Sequence, residues 1–87
     1  MDGDWVDTQS HYVWRIKHFH EVIEIEVYTP VGRFHEKGIG AINGGGVSFS
    51  LTNDLKGELK LSDDGKRLRG NYEGPSSESL ELEWRSR

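Results

Sequence analysis

Leu59-Lys60-Leu61-Ser62-Asp63-Asp64-Gly65-Lys66-Arg67-Leu68 decides the fold. Two short runs of alternating apolar and polar residues flank Asp64-Gly65, a pair that tolerates the positive φ angles of a type I′ hairpin turn. With Asp64 and Gly65 as the loop, Leu61 faces Leu68 and Leu59 faces Gly70. Side chains alternate between the two faces of a strand, so both pairs share one face of the ribbon.

Downstream the chain reverses again through Glu73-Gly74-Pro75-Ser76-Ser77-Glu78. Setting Tyr72 opposite Leu80 brings Gly70 to Leu82 and Leu68 to Trp84, which carries the apolar face across three strands. The other face then pairs Arg69 with Glu83 and Asn71 with Glu81, a basic strand against an acidic one. Upstream, residues 12–17 and 22–27 form a second hairpin folded at Phe19-His20, with Ile16 opposite Ile23, Trp14 opposite Ile25, Tyr12 opposite Val27 and, outside, Arg15 opposite Glu24. Between the hairpins Val47, Phe49 and Leu51 form an inward face, reached from Ile39 and Ala41 through the turn Asn43-Gly44-Gly45-Gly46. Phe34 and Ile39 have opposite parity, so if both point inward a β-bulge must intervene near Glu36 to Gly38. The pattern predicts an all-β fold, an antiparallel meander of six or seven strands closed as a small up-and-down barrel or left as a half-barrel. It forms a single domain over residues 1–87, with residues 1–10 either a flexible arm or a short first strand.

Composition limits what such a domain can do. A chain of 87 residues buries only about 60–65% of its unfolded-state surface. Its apolar content of 33% leaves little area to spare, a shortage that dimerisation relieves. The 11 Lys and Arg alternate with 15 Asp and Glu, for a net charge of −4, so neither nucleic acid nor an anionic membrane surface is an expected partner. Without cysteine there is no disulfide framework, thiolate metal site or thiol nucleophile. No window approaches an 18-residue apolar span, and the acidic Met1–Ser10 has no apolar signal region. A cytoplasmic, unprocessed chain is expected.

No catalytic set emerges from spacing. Ser48, Ser50 and Thr52 form an outward polar row with no tied histidine or acid, and Glu24 with Glu26 or Glu81 with Glu83 fits a solvated strand face. Gly44-Gly45-Gly46 precedes the strand-like Val47-Ser48-Phe49-Ser50-Leu51 and not a helix, so it reads as a hairpin loop and not a phosphate cradle. Trp14, Phe34, Phe49, Tyr72 and Trp84 fall on the inner face, as core. Trp5, Phe19 and Tyr28 lie in the arm, at a turn and on the outer face, and are the candidates for partner contact.

Two family resemblances add expectations. Gly3-Asp4-Trp5 near the start, with Trp84-Arg85 near the end, resembles the lipocalin and avidin (calycin) pattern of a first-strand glycine and tryptophan crossed by a basic residue from the chain end. That resemblance implies an up-and-down barrel binding a small apolar ligand, in a pocket lined by Trp14, Ile25, Phe49 and Trp84 and completed across two subunits. His18-Phe19-His20 with Glu24 resembles the first metal motif of the cupins, which implies a metal site using His18, His20, Glu24 and His35. The plain reading of these histidines is exposed turn residues. The preferred expectation is a non-enzymatic binding domain without cofactor, homodimeric, holding a small apolar ligand; the alternative is the cupin-like metal protein.

Overall fold

The structure, a computed structural model, describes residues 2–52, 54–74 and 77–86. Eight antiparallel strands follow one another: β1 Gly3–Asp7, β2 Val13–Phe19, β3 Val22–Tyr28, β4 Phe34–Asn43, β5 Gly46–Leu51, β6 Lys56–Leu61, β7 Arg67–Glu73 and β8 Ser77–Ser86. Each pairs with its sequence neighbour, and β8 returns to pair with β1, so the meander closes into a barrel. Eight strands replace the six or seven expected, because Gly3–Asp7 forms the closing strand and not a flexible arm. No described residue is helical, and no helix is long and apolar enough to cross a membrane.

The turns explain the registers. Leu61 pairs with Leu68 and Leu59 with Gly70, as the Asp64-Gly65 centre requires. The loop is wider than a two-residue turn, however. Ser62 and Arg67 close it through the Ser62 N–H to Arg67 carbonyl bond, the Gly65 N–H returns to the Ser62 carbonyl, and Gly65, at φ 72°, is its only positive-φ residue. The loop centre, and therefore the register, is unchanged.

Two other hairpins slide by two residues. β2 and β3 join through His20-Glu21, with His20 at φ 57°, so Phe19 pairs with Val22, Ile16 with Ile25, Trp14 with Val27, Arg15 with Glu26 and Lys17 with Glu24. β7 and β8 pair Tyr72 with Glu78, Gly70 with Leu80, Leu68 with Leu82 and Arg69 with Glu81, while Pro75 and Ser76 of the connecting turn lie outside the described residues. A slip of two leaves every side chain on its expected face, since the period of a strand is two. The inside-outside assignment therefore survives in both hairpins.

On β4 it does not. The bulge lies at His35, between the pairs Tyr28 to Phe34 and Val27 to Glu36, one residue before the stretch expected to hold it. The extra residue turns Phe34 outward, 55% exposed, where its ring meets Tyr28 edge to face at 5.9 Å. Ile39 also points outward, 64% exposed. The inward positions are instead Glu36, Gly38, Gly40 and Ile42. A Cβ at Gly38 would stand 2.3 Å from the Ser50 carbonyl oxygen, so this strand presses too closely on β5 to carry a side chain there.

The interior is filled by Trp5, Trp14, Ile16, Ile23, Ile25, Val27, Val47, Phe49, Leu51, Leu59, Leu68, Leu80 and Leu82. Trp5, expected as a partner contact, is 1% exposed and lies in register between Trp14 on β2 and Trp84 on β8. Trp84, expected inside, is 39% exposed at the barrel end that carries the chain termini. Ion pairs lie on the outer surface: Arg15 with Asp4 at 3.1 Å, Arg69 with Glu81, and Arg67 at 4.0 Å from both Glu81 and Glu83. Exposed pairs of this kind contribute little stability, and their value is in holding register.

Candidate functional site at the open end of the barrel

The β1–β2, β3–β4, β5–β6 and β7–β8 connections crown one end of the barrel, and a recess of about 300 Å³ opens between them. Its apolar wall is Trp14, Val27, Phe49, Leu51, Leu55 and Leu80, with Tyr12 and Tyr72 at intermediate depth. An eight-stranded barrel is just wide enough either to fill itself or to hold one small ligand. Here the lower layers fill and the end layer stays open. Trp14 and Phe49 meet edge to face at 5.4 Å and form the buried aromatic part of its lining.

The polar groups arrive through local geometry. Residues 35 and 36 are adjacent and would ordinarily point to opposite faces, but the bulge at His35 lets both line the recess. Glu36 is 8% exposed and is the buried charged residue of the described chain. His35 Nε2 stands 3.2 Å from Glu36 Oε2, and the His35 ring meets Tyr12 edge to face at 5.2 Å. Burial pushes the Glu36 carboxyl above its ordinary 4.5, and the neighbouring His35 pulls the other way. Across the recess, Tyr72 donates its hydroxyl to Glu78 Oε2 at 2.6 Å. That bond, with burial, lifts the phenol to about 12. Asp7 also lines the recess, and its Oδ1 accepts the backbone N–H groups of Gln9 at 2.9 Å and Ser10 at 3.3 Å, which orders the β1–β2 turn.

The expected site residues distribute as follows. Trp14 and Phe49 line the recess; Ile25 lies deep in the core, 1% exposed, and Trp84 lies at the opposite end. Phe19 is 55% exposed and Tyr28 is half-buried under the Arg15 guanidinium, 5.2 Å from its ring centre. The metal set is dispersed. His18 sits at the terminal end on the inward parity and donates from Nε2 to the His20 carbonyl, His20 occupies the turn, Glu24 points outward beside Lys17, and His35 is at the other end of the barrel. Among the described residues no three His, Asp or Glu side chains stand close enough together to hold a metal ion. The alternation of residues along β2 and β3, which separates His18 from Glu24, is the physical reason.

Sequence reasoning missed Glu36. The available signal was its parity with Gly38, Gly40 and Ile42, which becomes readable once Ile39 is placed outside. A larger concavity, about 1050 Å³, runs along β5–β7, but Lys56, Glu58, Lys60, Arg69 and Glu73 in its lining are exposed and of both signs. Its lining sets five charged side chains against three apolar ones, Val47, Phe49 and Leu59, the reverse of the balance that marks a small-molecule site.

Fold and recess together define a closed eight-stranded meander barrel with one open, aromatic-walled end. Comparison with protein-family models, with curated proteins and with solved structures finds no match.

Proposed function

We propose that this barrel is a non-enzymatic binding domain that takes a small, largely apolar ligand into its open end. The observation that carries the reading is the recess itself, an open end layer walled by Trp14, Phe49, Leu51 and Leu80 above an otherwise filled core. The calycin resemblance at Gly3-Asp4-Trp5 and Trp84-Arg85 agrees with it: Trp5 is buried on the strand that closes the barrel and pairs with Trp84. The neutral fluorescent probe N-phenyl-1-naphthylamine should bind saturably at one site per chain with enhanced emission. Leu55→Trp, at a half-buried position on the recess wall, should fill the space and abolish the enhancement while the fold is retained. Enhancement equal in both proteins would defeat the reading.

A second reading, a homodimer, is favoured by the outer face of β2–β4. Phe19 pairs with Val22 and Val22 with Ala41, and Ile39 lies diagonally beside them, an apolar corner with Phe19, Val22 and Ile39 each at least half exposed. Beside it Lys17 and Glu24 pair across the strands, so a second copy related by a two-fold axis can offer each charge its opposite. Closure leaves no sheet edge for strand addition, so the contact would be made by side chains alone. Sedimentation equilibrium should report a dimer that Ile39→Lys converts to monomer. A wild-type monomer across the micromolar range would exclude it.

A further inference from the structure

Resting on the reading of the open end as a binding site, we infer that its ligand is a small organic cation, an amine or quaternary ammonium carried on a compact apolar body. The charged groups in the recess lining are Asp7, His35 and Glu36, and no Lys or Arg is among the described lining residues. An anionic ligand such as a carboxylate would meet the carboxylates of Asp7 and Glu36. A cation meets the reverse. Glu36 supplies the opposite charge from within the wall, and Tyr12, Trp14, Phe49 and Tyr72 supply ring surfaces around it, which attract a cation through their electron-rich faces.

The chemistry also accounts for a carboxylate placed where it is costly. Burial disfavours the ionised form of Glu36, and a bound cation restores it, so ligand binding and Glu36 deprotonation are coupled. A permanently charged ligand should bind more tightly as pH rises through the raised Glu36 value. The other titratable groups facing this end are Asp7 on β1, Tyr12 before β2, His35 beside Glu36, Tyr72 on β7, and Glu78 on β8, which is held by the Tyr72 hydroxyl. Tyr72, at about 12, stays protonated throughout.

The test is a matched pair of probes, benzyltrimethylammonium and its neutral carbon isostere neopentylbenzene, titrated into the wild type, Glu36→Gln and His35→Gln by calorimetry and by chemical-shift perturbation of the tryptophan indole N–H signals. The expected result is that the cation binds the wild type about tenfold more tightly than the isostere, the advantage being lost in Glu36→Gln. The pH dependence of cation binding should persist in His35→Gln and be reduced in Glu36→Gln. Equal binding of both probes, unchanged by Glu36→Gln, would overturn the cation inference and leave the apolar-ligand reading standing. Binding of neither probe to a folded wild type would overturn both.

Discussion

Trp5→Ala should destabilise the barrel by about 3–5 kcal/mol, the usual cost of removing a fully buried large aromatic. Trp5 is 1% exposed, so both its transfer free energy and the cavity left behind count in full. It also sits on β1, whose five residues join β2 to β8 and close the sheet. Native domains are stable by roughly 0.05–0.15 kcal/mol per residue, which bounds an 87-residue chain at about 4–13 kcal/mol. The substitution should therefore remove much or all of the stability. Urea unfolding followed by circular dichroism measures it, and a loss below about 1 kcal/mol would show that Trp5 is not packed as described.

Gly70→Val should be more severe and should prevent folding. A Cβ at Gly70 would lie 1.7 Å from the Glu58 carbonyl oxygen and 2.9 Å from the Leu59 Cα, both main-chain atoms of the adjoining strand. No side-chain rotation relieves such a clash. β6 would have to separate from β7, which strips the ladder from Lys56–Glu73 to Leu61–Leu68. Gly45 is the control, since nothing stands within 4 Å of a Cβ there and its φ is not positive; Gly45→Ala should leave the protein unchanged. Amide proton dispersion in a ¹H–¹⁵N spectrum separates the outcomes: collapsed for Gly70→Val, native for Gly45→Ala. A dispersed, native-like spectrum for Gly70→Val would mean that β6 and β7 do not approach as closely as described.

The site was only partly readable beforehand. Trp14 and Phe49 declare themselves as inward aromatics on strongly alternating strands, and both reach the recess. Tyr72 reads as an inward core residue and does pack against the core, half-buried, with its hydroxyl held by Glu78. The cupin-like grouping failed because spacing along the chain says nothing of parity across a turn: His18 and Glu24 occupy opposite faces, and His35 is a barrel length away. Trp5 is not legible as core because a five-residue strand at the chain start offers too few alternations to distinguish it from an arm.

Local patterning along the chain sets the all-β class, the meander order and the inward face of six strands, because a period of two is local and insensitive to a slip of two residues. It also sets the Asn43–Gly46 and Asp64-Gly65 turns, where composition restricts the backbone directly. Closure, the bulge at His35 and the burial of Glu36 arise from long-range packing. Each depends on how strands far apart in sequence meet: β1 pairs with β8 only when the sheet curls, β4 sheds its inward side chains only where β5 crowds it, and the end layer opens only because the layers beneath it are already full.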